Sequence, residues 1–143
     1  MFRIVSRELA VSTRDRLQLI DLTDAIADAL AASGIGAGLA HLFCLHTTAV
    51  LLVNEFQEAL LDDARELFSR LVDERGPYRH NQPEYSDCRR QNAAAHLRSL
   101  LFGPGLTLQV AGGRAQLGLH QRVIFAEMDG PRERKVCLQV VGE

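Results

Sequence analysis

Three observations predict a single domain that mixes helices with strands. The 143 residues suit one unit able to bury a core without staples. Three stretches between residues 19 and 102 place apolar side chains at helical spacing, whereas residues 2–9 and most of the chain after Pro104 read as strands broken by turns. Apolar residues make up 47% and charged residues 24%, an ordinary balance for a globular chain.

Phe2 to Leu9 alternates around Ile4 and Val5 and reads as an opening strand. A first helix is expected from about Leu19 to Ser33, with Ile20, Ala25, Ile26, Leu30 and Ala31 on its apolar stripe. Gly34 supplies the stop, because only glycine adopts the left-handed cap conformation cheaply. Gly38 to Val53 is apolar on both alternating faces, which predicts a strand covered by a helix on one side and by a sheet or another subunit on the other. It is too long for one straight strand, so a bend is expected near His46-Thr47-Thr48.

Asn54 and Gln57 have capping-box spacing, with Asn54 as the cap of a helix running to about Glu74. That helix would bury Phe56, Leu60, Leu61, Ala64, Leu67, Phe68 and Leu71. Gly76 to Ser86 reads as a polar loop, and Ser86 or Asp87 as the cap of a third helix ended by Gly103-Pro104. The remaining strands are Leu106–Val110, Arg114–Leu119, Gln121–Met128 and Lys135–Val141, with turns at Gly112-Gly113 and Asp129-Gly130-Pro131.

The charge pattern excludes some functions. A net charge of -2 with no basic stripe argues against nucleic acid as a partner. Lys and Arg total 16, and all but Lys135 are Arg, a bias that suits carboxylates or phosphates. Cys44, Cys88 and Cys137 are isolated and odd in number, so a disulfide framework is not expected and a reducing cytoplasm is. No signal-like segment or apolar membrane span is present, and no membrane partner is expected.

Three histidines sit in small polar settings on different elements. His46 lies at the strand bend, His80 in the loop Tyr78-Arg79-His80-Asn81, and His96 on the third helix one turn after Asn92. Each alone is explained as a packed or solvated residue. Together they suit a metal or acid–base site built from rigid elements and a loop, with imidazole favouring zinc. Helical rise would hold Cys88 about 12 Å from His96, so Cys88 reads as structural. Glu127 is odd on an apolar strand face and needs a partner, Arg132 or Arg134. Asp129 before Gly130 reads as turn chemistry, and His41 and His120 as surface or interface residues.

These stretches resemble the YjbQ family, often labelled secondary thiamine-phosphate synthase. The likeness rests on His46-Thr47-Thr48-Ala49, Val53-Asn54-Glu55, Tyr78-Arg79-His80-Asn81, Asn92-Ala93-Ala94-Ala95-His96-Leu97, Gly118 with Gln121, and Glu127 through Asp129-Gly130-Pro131-Arg132. The resemblance implies a single α+β domain over residues 1–143, with an antiparallel folded sheet wrapping around helices, and a cytoplasmic homotrimer with clefts near the subunit contacts. It implies a pocket in which His46, His80 and His96 act as catalytic groups or metal ligands with Glu127. Thr47, Thr48, Asn54, Glu55, Asn92, Gln121 and Arg132 would bind a phosphorylated or anionic small molecule.

Three departures bear on the ligand. Leu119-His120 stands where the family commonly has Thr-Trp, Gln57-Glu58-Ala59 occupies the region of an Asp-Pro, and Arg90 replaces a frequent acidic residue. Three functions remain open at this stage. The first is weak thiamine-phosphate synthase activity with Arg79, Arg132 and Arg134 or magnesium on the diphosphate. The second is a zinc-dependent hydrolase, and the third a non-enzymatic trimer that binds an anion or partner.

Overall fold

Alternating apolar residues build two antiparallel sheets, and helical stripes cover what the sheets leave open. The computed structural model describes Met1–Glu143 and has the expected α+β class. In order the elements are β1 (Arg3–Ser12), β2 (Gln18–Asp21), α1 (Thr23–Ser33), β3 (Ala37–Cys44), β4 (Ala49–Asn54), α2 (Glu58–Leu71), a 3-10 turn (Arg79–Asn81), α3 (Ala93–Phe102), β5 (Gly105–Ala111), β6 (Arg114–Ala115), β7 (Arg122–Glu127) and β8 (Glu133–Gly142). The sheets run β1-β8-β3-β5-β6 and β2-β7-β4. No helix is long and apolar enough to cross a membrane.

The three-stranded sheet is the middle layer, which is why β4 and β7 are apolar on both faces. Val123 and Phe125 point into a core shared with the five-stranded sheet and α1, where Ile26, Leu30, Leu42 and Val136 are buried. Ile124, Ala126 and Met128 point the other way, against Leu61 and Phe68 of α2 and Ala95 of α3. β3 and β4 belong to different sheets, so the chain turns at His46-Thr47-Thr48, where the sequence places its bend.

The differences from the sequence expectations have local causes. Leu19 and Ile20 pair with Ala126 and Phe125 as β2, and α1 starts only at Thr23, whose N–H donates to Asp21 Oδ1 at 2.9 Å. Gly34 does stop α1, with φ 65. Gln57, not Asn54, caps α2, accepting from the Leu60 N–H at 2.9 Å, while Asn54 accepts from Glu55 N–H. α2 ends at Leu71 because the buried Arg98 guanidinium takes the carbonyls of Phe68 and Val72, at 2.9 and 2.7 Å. Its expected apolar face is only partly covered: Leu61 and Phe68 are buried, whereas Leu67 and Leu71 remain half exposed.

α3 starts at Ala93 rather than near Ser86. Gln91 has φ 56, which interrupts helix, and Asn81 Oδ1 reaches across from the 3-10 turn to accept the Ala93 N–H at 3.0 Å. Between Arg114 and Leu119 only Arg114–Ala115 pair as strand. Gly112 and Gly113, with φ 58 and 72, make the hairpin that joins them to β5.

Candidate functional site

The β3–β4 bend lies beside the β7–β8 turn because the strands holding them pair. Ala49 sits opposite Glu127, Met128 N–H donates to the Thr48 carbonyl at 3.1 Å, and Leu45 N–H donates to the Lys135 carbonyl at 3.3 Å. His46 is fixed between these turns, its Nε2 accepting the Lys135 backbone N–H at 2.8 Å. Neutral His46 therefore carries its proton on Nδ1.

α3 packs on β4 and brings His96 to the same place. His46, Thr47, His96 and Ser99, with Val50 and Leu100, line a cavity of about 400 Å³. Neither ring nitrogen of His96 has a partner within the protein, and no fully buried side-chain polar atom is left unpaired. His80 stands edge-to-face on His96, ring centroids 4.8 Å apart. His80 Nε2 lies 3.1 Å from Asn92 Oδ1 and donates to it, since the Asn92 amide nitrogen faces Asp129.

The electrostatics favour the neutral form of His46 and of His96. Burial pushes His46 below its usual range, the Arg134 charge adds to that, and Arg132 pushes the same way against the opposing pull of Glu127. Burial also lowers His96, followed by neighbouring His80 and by Arg132, with Asp129 opposing. Arg132 thus acts on both rings, yet its guanidinium enters no ion pair or hydrogen bond; only its backbone is held, by Thr13. A half-buried cation without a carboxylate is suited to an anion.

Two buried carboxylates lie beneath. Glu127 has no exposed surface and pairs with Arg134, which donates from Nε at 2.7 Å and from Nη2 at 2.5 Å. Thr13 Oγ1 and the Asp129 N–H complete its shell, each at 2.9 Å. Burial alone would raise this carboxyl; the Arg134 hydrogen bonds and charge, with the other donors, outweigh it and hold it below the usual range. Arg134 also donates to Thr48 Oγ1 at 2.9 Å. Asp129, equally buried, accepts from Arg90 at 2.8 Å, Asn92 Nδ2 at 2.9 Å and Arg16 at 3.2 Å. Those bonds likewise override its burial and hold it low.

These contacts correct several expected roles. No three His, Cys, Asp or Glu side chains are arranged to hold a metal ion. His46, whose Nε2 lone pair accepts from the Lys135 N–H, carries its proton on Nδ1 and has no lone pair left for a metal, whereas His80, donating from Nε2 to Asn92, and His96 each keep one. The residues present therefore do not fit the expected zinc site. They do not fit magnesium either, since Glu127 and Asp129 are buried under Arg partners. Glu127 cannot serve as a catalytic carboxylate at the pocket; it positions Arg134. Thr48 and Asn92 are buried with their polar ends occupied, so they support the site instead of touching ligand.

Asn54, Glu55 and Gln121 are not brought to this pocket. β4 pairs Ala49 with Glu127 at one end and Asn54 with Arg122 at the other, five residues or about 17 Å away. Gln121 Oε1 accepts the Gly118 N–H there, and His120 lies 3.9 Å from Glu55. Asp129 has an ordinary turn setting and Thr13 carries no sequence signal, whereas Arg90 stands out in the sequence only as a departure from the family pattern. Cys88 precedes α3 and its thiol lies 3.4 Å from Asn92 Oδ1, beside the amide that supports the site.

Residues 7–143 match the model of a family described as UPF0047 protein YjbQ-like. A UPF0047 protein of Methanothermobacter thermautotrophicus is 34% identical over 140 residues, covering 98% of this chain and 94% of that one. The UPF0047 protein YugU of Bacillus subtilis is 32% identical, with 95% and 98% covered. Among crystal structures, a hypothetical protein of Aeropyrum pernix K1 superposes with TM-score 0.89 at 38% identity, over 97% of this chain and 99% of that one. A YbjQ-like protein of unknown function from Sulfolobus solfataricus P2 gives 0.92 at 28% identity, with both chains covered completely.

Proposed function

This chain belongs to the YjbQ-like UPF0047 family, and we propose that its imidazole pocket acts on a phosphorylated small molecule by proton transfer, without a resident metal. One observation carries the reading: His96, unpartnered at both ring nitrogens, opens with His46 on one cavity under the uncompensated charge of Arg132. A neutral imidazole near pH 7 can accept a proton, and His46 presents the N–H on Nδ1 that its bond to Lys135 leaves over. Arg132 is the group that would meet phosphoryl charge as it develops.

The reaction class that best suits these parts is the pyrophosphate-releasing transfer implied by the family's label. There a pyrimidine diphosphate joins a thiazole phosphate: the carbon–oxygen bond between the pyrimidine's methylene carbon and its diphosphate breaks as that carbon bonds to the thiazole nitrogen. The departing pyrophosphate needs a cation and would accept the His46 Nδ1–H. Incubation of those two substrates with the protein should release pyrophosphate, and His96→Gln and Arg132→Ala should each abolish it. Absence of product with wild-type protein, or full activity in both variants, removes the synthase reading.

The trimer belongs to this proposal. Leu39 and Phe43 leave the outer face of β3 half exposed, which supports coverage by a second copy of a strand that is apolar on both sides. A neighbour would also give Asn54, Glu55 and Gln121, stranded at the far end of β4, a cleft to complete. Light scattering at micromolar concentration should give three times the chain mass; a monomer overturns the assembly and leaves the imidazole pocket standing alone. If the protein binds pyrophosphate through Arg132 but forms no product, the anion-binding module is the better reading.

A further inference from the structure

A second cleft, of about 450 Å³, opens between residues 74–91 and Arg16 and shares no lining residue with the imidazole pocket. Its wall is polar and cationic. Arg16, Arg75 and Arg90 line it against one carboxylate, Glu74. Glu74 is itself divided between Arg16 at 2.7 Å and the buried Arg98 at 3.0 Å, and Asp129 below is divided between Arg16 and Arg90. Three guanidiniums, those of Arg16, Arg90 and Arg98, thus share two carboxylates, and Arg75 adds a fourth cation with no carboxylate of its own.

Arg75 makes no side-chain hydrogen bond or ion pair; only its backbone N–H is engaged, by Asp73. Arg90 directs Nε and Nη2 at Asp129 and keeps Nη1 without a partner, while remaining 41% exposed. If these arginines served only to fasten residues 74–91 to the core, Arg75 would be superfluous. The cleft is also built rather than loose. Tyr78 donates its hydroxyl to the Asp73 carbonyl at 2.6 Å, and its ring lies so close to Gly76 that any Cβ there would sit 2.3 Å from it.

We propose that this cleft is an anion site for the phosphoryl group of a small organic phosphate, bound by the free donors of Arg75 and Arg90. The planar guanidinium fork matches phosphoryl oxygens, and the aromatic ring of Tyr78 on the wall offers a face to the organic part. The site goes beyond the imidazole pocket and does not depend on it.

The test is a titration followed by backbone amide NMR, with inorganic phosphate and phenyl phosphate as probes, on wild type, Arg75→Ala and Arg132→Ala. Shifts are expected at Arg75, Gly76, Tyr78 and Arg90, to persist in Arg132→Ala, and to weaken about tenfold in affinity in Arg75→Ala, the loss of one charged hydrogen-bonding partner. Tighter binding of phenyl phosphate identifies an organic phosphate as the ligand; equal binding of both probes assigns the site to free phosphate. Two results overturn the proposal: shifts confined to the surroundings of His46 and His96, or binding in Arg75→Ala equal to wild type. Failure of the imidazole pocket would instead appear as an absence of probe-dependent shifts around His46 and His96 in wild type, with the shifts at Arg75, Gly76, Tyr78 and Arg90 intact.

Discussion

Glu127→Gln tests whether the buried pair holds the bend and the β7–β8 turn together. Both carboxylate oxygens are in use: Oε1 accepts from Arg134 Nη2 and the Asp129 N–H, and Oε2 from Arg134 Nε and Thr13 Oγ1. A glutamine amide is nearly isosteric but must put its NH2 in place of one oxygen, so two donors then face a donor. Leaving two buried donors unpaired costs about 1–3 kcal/mol each. Removing one charge of a buried pair gives the same range by a separate route, about 3–5 kcal/mol. At about 3 °C per kcal/mol for a chain of this length, Tm should fall by roughly 10–15 °C. Urea and thermal unfolding at fixed protein concentration measure this, since assembly would shift Tm by mass action. Glu127→Leu with Arg134→Met should cost less than the sum of the single changes, because no charge is left alone. A Glu127→Gln loss below about 1 kcal/mol would refute the reasoning, by showing that water or a shifted Arg134 compensates.

Three further outcomes are expected. In a histidine NMR titration His46 and His96 should have midpoints below the ordinary value of about 6.5, and Arg132→Ala should raise both; unchanged midpoints would place that guanidinium away from the rings. Both imidazoles are depressed in the folded state, so their contribution to stability is complete above about pH 6.5 and declines as pH falls through their lowered values. Glu127 and Asp129, also depressed, add a second decline as pH falls through theirs, below the usual carboxylate range. A urea midpoint that rises between pH 7 and pH 5 contradicts the sign. Arg98→Met should cost about 2–4 kcal/mol by uncapping α2, with hydrogen exchange fastest at the end of that helix; uniform exchange along α2 would argue against it.

Local chemistry was legible where it acted alone. Gly34 ends α1 because its own backbone can, and the two-faced apolar run from Gly38 to Val53 must bend because no single sheet could use both halves. The errors fall where a distant partner decides. The start of α3 depends on Asn81 reaching from another segment, β2 exists because β7 offers Leu19 and Ile20 an edge, and α2 stops where Arg98 takes its carbonyls.

The site divides along the same line. Glu127 announced itself as a carboxylate on an apolar strand, and Arg134 was one of two partners that could answer it. Asp129 gave no such sign, since aspartate before glycine is what any turn contains. The histidines show the sharpest limit. Their spacing, and the family resemblance, could bring three rings into one neighbourhood, but neither says which nitrogens stay free. That is decided by a backbone N–H at Lys135 and an amide at Asn92, which occupy the lone pair of one ring and the N–H of another. With those partners in place His46 has no lone pair to spare, and of the three rings only His96 meets the pocket with both nitrogens unclaimed.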